Sequence, residues 1–399
     1  MIAIPWYFAQ KDMLGFFGII YLLTNICSLF WVPWSGTLVD KYDRKKLFLF
    51  ITAIGASYLA VVSGYGHMVS ELPIAVVASV FVFTFLHYNI HYPNLYAFVQ
   101  EITHKEKYSK MTSLLEIIGQ CTTVSAGAVA TLLLEGTEGG MLQVLGTSID
   151  IGMDVTPWPI EKIFLLDMST YCVAFGIILL IKYKPLIERK NEVGSIFERL
   201  KTGWRYLTSN KNVFWFGVLS YMVFLAMLME AFYLGVSYVD NHLQESGDVY
   251  ANSKMTYALG AICTGLTLKY LFTRISLPLI TLILTFLTGI IFLVQYMTHS
   301  TATFLFLLFI LGITNSGTRI ARITYLFRNV PNQYFGRSGS IFFMSNVILR
   351  VILLLIFTQP FYQTGNNIIY AYLITSMVLF ATVFLIIYHY KSFDLSRTA

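Results

Sequence analysis

Long apolar runs separated by short polar stretches make up most of the chain. They cover residues 14–34, 47–65, 72–98, 111–134, 162–182, 213–238, 252–272, 277–297, 302–327, 338–359 and 366–389, eleven runs in all. A run of roughly 18 or more apolar residues is long enough to cross a bilayer as a helix. A helix also satisfies its own backbone hydrogen bonds, which lipid cannot do for it. Residues 1–9 (MIAIPWYFA) read as the outer end of one more span, so a first helix shortened at its start is expected. No basic stretch followed by a small-residue cleavage site marks a signal peptide.

The longest polar stretch, residues 183–212, divides the chain into an N-terminal bundle (1–182) and a C-terminal bundle (213–399). Within it Phe197, Leu200, Trp204 and Leu207 recur at spacings of three and four. That pattern predicts an amphipathic helix over 195–208, lying on the membrane surface with Arg199, Lys201 and Arg205 at phosphate level.

Charge then orients the spans. Of the 27 lysines and arginines, all but Lys11, Lys162, Lys254 and Arg350 lie in or beside one alternate set of loops. That set comprises residues 40–46, 104–110, 183–212, 269–274 and 319–337 and the tail from Lys391. The other set (135–140, 150–154, 239–248) is acidic or neutral. The positive-inside rule places the first set, and with it the C-terminus, in the cytoplasm of a cell that carries the protein in its inner or plasma membrane. Trp6, Trp31, Trp34, Trp158, Trp204 and Trp215 all fall near predicted span ends, where an amphipathic ring prefers the headgroup layer.

Composition agrees with a multi-pass membrane protein: 56% of residues are hydrophobic and 12% charged, against about 25% charged in soluble domains. The net charge of +6 resides in loops between spans and is no signature of nucleic-acid binding. Cys27, Cys121, Cys172 and Cys263 lie within apolar runs and form neither a disulfide framework nor a metal-binding spacing. No H-E-x-x-H, G-x-S-x-G, Walker or G-x-G-x-x-G element is present, so no catalytic centre, metal or cofactor is expected, nor ATP-driven transport.

One segment is more specific. After the second helix comes Gly36-Thr-Leu-Val-Asp40-Lys41-Tyr-Asp43-Arg44-Lys45-Lys46. It resembles the signature between helices 2 and 3 of the major facilitator superfamily, with Asp43 where a second glycine is usual. That variant is similar to the branch holding macrolide-efflux and enterobactin-exporter proteins. Two more stretches strengthen the resemblance: Gly203-Trp-Arg205-Tyr206-Leu207 before helix 7, and Val330-Pro331 through Gly336-Arg337 before helix 11. Gly265-Leu-Thr-Leu-Lys269 stands where a second copy of the motif belongs, with lysine in place of aspartate.

The resemblance implies an all-α membrane fold of two pseudo-symmetric six-helix bundles, with residues 1–9 as what is present of helix 1. It implies a secondary carrier working by alternating access, most simply an exporter of a small amphiphile such as a drug, siderophore or lysolipid, and acting as a monomer. An importer of a small solute, or a transport-inactive receptor or scaffold, is the alternative. In the motif, Gly36 is expected to admit a neighbouring helix. Asp40 is expected to face the N-terminus of helix 11 near Gly336 and Gly339, while Lys41, Arg44 and Lys45 anchor the cytoplasmic face.

Polar residues at bilayer depth cost about 2.5–3.5 kcal/mol or more and are functional candidates for that reason. Helix 4 carries Thr84, His87, Tyr88 and His91 on one face, and helix 5 carries Glu116, Gln120 and Thr123. Helix 7 has Glu230, helix 10 Asn315 and Ser316, and helix 11 Asn346 and Arg350. Arg350 is expected to pair with Glu116 or Glu230, or to bond carbonyls and Asn346. His87, His91, Glu116 and Glu230 are the candidates to carry a proton, because helix 4 has no arginine and helix 5 has Ala128 where the proline of a family antiporter motif belongs.

Overall fold

The computed structural model describes residues 2–103, 108–137, 140–144, 147–150, 152–182, 196–271 and 275–394. The 104–107, 183–195 and 395–399 parts of the basic loops, and the side chains of Asp40, Glu116, Arg199 and Lys269, lie outside what is described.

Helices α1 (Ala3–Gln10), α2 (Leu14–Lys41), α3 (Arg44–Met68), α4 (Ile74–Ile102), α5 (Tyr108–Glu135) and α6 (Ile160–Leu180) form the first bundle. A linker helix α7 (Ile196–Ser209) follows, at the predicted place. The second bundle holds α8 (Lys211–Leu243), α9 (Gly247–Leu271), α10 (Leu277–Met297), α11 (Thr301–Asn329), α12 (Asn332–Phe357) and α13 (Ile369–Asp394). Ten helices among the described residues are long and apolar enough to cross a membrane. α9, with 25 residues, is long enough as well.

The helices outrun their apolar stretches. α2 continues through Gly36 to Lys41, so the first part of the motif is helical. α11 continues through Arg319 and Arg322 to Asn329, a stretch the charge pattern had assigned to a loop. Helix continuation keeps every backbone group paired where these ends leave lipid. Local caps fix the starts. The Asp43 carboxylate accepts from the Lys46 amide at 2.9 Å to begin α3, and the Ser300 hydroxyl accepts from the Thr303 amide at 3.3 Å to begin α11. Asp43 thus has a capping role that a glycine could not fill.

Between α5 and α6 lies a β-hairpin, β1 (Met141–Val144) against β2 (Thr147–Asp150), antiparallel with Met141 opposite Asp150. Nothing in the apolar pattern pointed to it. The hairpin and α1 mark one end of the molecule; Lys41, Arg44, α7 and Lys391 mark the other, called here the basic end.

The distribution of core packing defines the shape. Towards the hairpin end one continuous core joins both bundles, from Phe8, Phe17, Tyr21 and Phe81 to Tyr233, Tyr238, Leu354 and Tyr372. Towards the basic end the cores are separate, one around Phe48, Ile51 and Phe98 and the other around Phe216, Tyr325 and Phe342. The bundles are therefore joined at the hairpin end and parted at the basic end. Across the joint, α5 packs on α9 and α2 on α12.

Candidate functional site

Where the bundles part, α4 faces the second bundle through tyrosines. The Tyr88 and Tyr92 rings lie 4.2 Å apart, centroid to centroid and tilted at 41°, and both are exposed. Tyr88 is also within electrostatic reach of Arg319 on α11 and Tyr257 on α9. A side chain that is exposed yet faces groups of the opposite bundle lines a recess between the bundles. On the facing wall, the buried Asn315 donates to the Tyr257 hydroxyl at 2.6 Å.

His87 and His91 lie elsewhere. Their rings stack at 5.9 Å, with Tyr171 of α6 5.4 Å from His87 and Phe48 of α3 5.4 Å from His91. They sit inside the first bundle, because a face at i and i+4 points about 100° away from one at i+1. Gln120 is half-buried on α5, the helix that crosses to α9.

At the basic end the motif residues hold the first bundle together. The Lys45 ammonium donates to the carbonyls of Leu179 (2.9 Å) and Ile181 (2.7 Å), closing the C-terminus of α6. Arg44 pairs with Glu101 at 3.8 Å, joining the start of α3 to the end of α4, and the Asn94 amide donates to the Arg44 carbonyl at 3.0 Å. Lys41 lies 5.6 Å above the Tyr42 ring. The expectation for Gly36 is not met in this conformation: a Cβ there would meet nothing within 4 Å, as would one at Gly336 or Gly339.

The other two signature stretches are one contact. A Cβ on Gly203 would stand 2.9 Å from that of Arg337, whose guanidinium donates to the Thr202 hydroxyl at 3.1 Å. Tyr206 stacks on Tyr334 at 4.6 Å and donates to the Asn329 carbonyl at 3.1 Å. α7 is thereby fastened to the turn between α11 and α12.

Deeper in the second bundle, the α-helix of α8 is interrupted by a turn at Tyr221, whose carbonyl still accepts from the Leu225 amide at 2.9 Å. Arg322 donates to the Ser220 carbonyl at 3.0 Å and lies 3.7 Å over the Tyr221 ring, while Asn346 donates to the Tyr221 carbonyl at 3.1 Å. Asn346 therefore secures this turn, a role its sequence position did not suggest.

Glu230 is buried at the start of a π turn, Glu230–Leu234, with a second π turn over Tyr238–Leu243. Its Oε2 accepts from the Tyr372 hydroxyl at 2.7 Å, and its Oε1 has no hydrogen-bond partner. The nearby cation is Lys254, which lies 4.2 Å over the Tyr250 ring. The expected pairing of Arg350 with Glu230 is not seen among the described residues; the cation whose charge acts on the carboxyl is Lys254. Arg350 is fully buried beside Tyr21 of the first bundle, and its Nε and Nη1 have no acceptor. α12 begins at Asn332, earlier than its apolar run, so Arg350 lies nearer the hairpin end than the run implied. Lys254 and the π turn were missed by the sequence reading, although a lone lysine within an apolar run was a usable signal.

A family model described as Major Facilitator Superfamily matches residues 1–354. No curated protein matches the chain. Among solved structures, a mutant of the nucleoside transporter NupG is 12% identical over 97% of this chain and 94% of its own, with a TM-score of 0.69. A bacterial homologue of the iron transporter ferroportin in its inward-facing state is 14% identical over 96% and 94%, with a TM-score of 0.66. In the outward-facing state the figures are 13%, 92% and 89%, with a TM-score of 0.57.

Proposed function

The chain belongs to the Major Facilitator Superfamily, a family of membrane transporters, and we propose that it exports a small amphiphile by alternating access. The observation that carries this reading is the recess between parted bundles. Its walls combine the packed rings of Tyr88 and Tyr92 with Tyr257, whose hydroxyl the buried Asn315 bonds, and the cationic Arg319, a surface suited to a molecule with an apolar body and a polar head. The positive-inside pattern puts the basic end, where the recess opens, in the cytoplasm of a cell whose inner or plasma membrane holds the protein. The better superposition on an inward-facing carrier than on an outward-facing one supports the same orientation. Loading from the cytoplasm then precedes closure at the basic end and opening at the hairpin end.

In that second state Asp40 would meet the N-terminus of α12 near Gly336, where backbone amides favour a negative charge. The wide space at Gly36, Gly336 and Gly339 leaves room for such an approach.

The test is export of a fluorescent amphiphilic dye from proteoliposomes by the purified monomer. Tyr88→Ala and Tyr92→Ala should each slow export about tenfold. Wild-type protein that moves no amphiphile, or moves it only inward, overturns the reading.

A further inference from the structure

The seam between α10 and α13 is closed in its inner part and open towards the basic end. In the closed part the Ser376 hydroxyl donates to the Gly289 carbonyl at 2.8 Å, and a Cβ on Gly289 would stand 3.0 Å from the Phe380 ring. One turn nearer the basic end, Phe286 and Phe380 meet with ring centroids 5.8 Å apart. Beyond them the two helices leave a groove of about 380 Å³, lined by Leu279, Leu282, Ile387, Tyr390 and Lys391. That is the size of an ordinary ligand pocket.

The groove opens outward from the bundle. Leu279 and Phe286 on α10 are exposed on one helix face, as are Phe384 and Ile387 on α13. From Leu279 to Phe286 this apolar strip runs about 10 Å along the axis, at 1.5 Å per residue. Both helices are long and apolar enough to cross the membrane, so the strip faces acyl chains rather than water.

The basic-end mouth of the groove is polar. Lys391 is exposed there, and among the described side chains no carboxylate pairs with it. A lysine this close to a span end extends its ammonium to the headgroup layer while its stem stays against apolar surface. Tyr390 lies beside it, its hydroxyl held 3.1 Å from that of Ser276 just ahead of α10. Arg274 precedes Ser276 by two residues in the chain, so the sequence adds positive charge to this end. A free anion would engage the mouth and leave the apolar strip bare. A molecule with an anionic head and an apolar tail fills both parts, and the leaflet around these helices supplies one.

We propose that this groove binds one anionic phospholipid of the basic-end leaflet, its phosphate against the Lys391 ammonium and the Tyr390 hydroxyl and an acyl chain along Leu279, Leu282 and Ile387. The test uses the purified full-length protein in detergent with phosphatidylglycerol that carries a photoreactive diazirine on one chain. After illumination, peptide mass spectrometry should find the label on residues 277–286 and 384–391. Phosphatidylcholine with the same chains should label those peptides about fivefold less, the worth of one lysine beside an anionic lipid. Lys391→Gln, at an exposed position, should abolish that preference, and Lys391→Arg should keep it. Leu282→Trp, which fills the groove, should lower labelling by both lipids. Equal labelling by the two lipids in wild type, or a preference unchanged in Lys391→Gln, overturns the proposal. So does loss of the label to inorganic phosphate but not to chloride at the same ionic strength, which would make the mouth a site for a free anion.

Discussion

Gly203 on the linker helix lies against Arg337 at the start of α12, so close that a Cβ on the glycine would stand 2.9 Å from the arginine's own. Two sequence stretches 134 residues apart are in contact here, through Thr202–Arg337, Tyr206–Tyr334 and Tyr206–Asn329 as well. The linker thereby moves with the second bundle. Gly203→Val should push the helices apart and destabilise this end by about 1–3 kcal/mol. Thermal unfolding should show the loss, whereas Trp204→Ala, at an exposed position, should leave the midpoint unchanged.

Replacing Arg350 separates stability from function. A buried guanidinium whose Nε and Nη1 lack acceptors is a cost, and an apolar isostere in such a place is often neutral or stabilising. Arg350→Met should therefore fold and insert normally, with an unfolding midpoint at or above wild type. Export should fall at least about tenfold if the guanidinium beside Tyr21 belongs to the cycle. Wild-type export by this variant would remove Arg350 from the mechanism.

α9 and α11 touch backbone to backbone. A Cβ at Gly260 would stand 1.9 Å from the Phe309 carbonyl oxygen, and one at Gly312 would stand 2.0 Å from that of Tyr257. No rotamer can relieve a clash with backbone, so Gly312→Ala must separate the helices. A loss of about 3 kcal/mol is expected, at the upper end for overpacking. The yield of folded, monodisperse protein after purification measures it, and a yield equal to wild type would contradict the close approach.

At the basic end, Lys45→Gln removes the charge-assisted bonds that end α6, with an expected cost of about 1 kcal/mol. Lys45→Arg should restore most of it. Hydrogen exchange of the Ile178–Ile181 amides is the direct measure: faster in the glutamine variant, near wild type in the arginine one.

The ion pair at the hairpin end gives a sign for pH. The hydrogen bond from Lys11, and then its charge, hold the Glu71 carboxyl below the usual range. The bond to Glu71 raises Lys11 in turn. The stabilisation from Glu71 is thus present above the ordinary glutamate range and lost as pH falls through the lowered value. That from Lys11 is present below the ordinary lysine range and lost as pH rises through the raised one. Both groups are exposed, so the effect should be small and should vanish in high salt. Glu71→Gln should leave the thermal midpoint at neutral pH unchanged, and a large shift would mean the pair is less solvated than it is here.

The sequence by itself determined the class of fold, because membrane-spanning helices are dictated by apolar run length and need no knowledge of neighbours. It placed α7 within a residue or two, since an amphipathic period is a local property. It also named Glu230 and Arg350, as charges in apolar runs are conspicuous wherever the chain goes. What it could not decide was partnership. Arg350 and Glu230 are both buried, yet packing set Glu230 against Tyr372 within reach of the Lys254 charge and left Arg350 beside Tyr21. His87 and Tyr88 are neighbours in sequence, and only the rotation of α4 sends one inward to α3 and α6 and the other into the recess. Helix rotation, crossing and the π turn at Glu230 arise from side chains distant along the chain, and that is why they appear only in the tertiary structure.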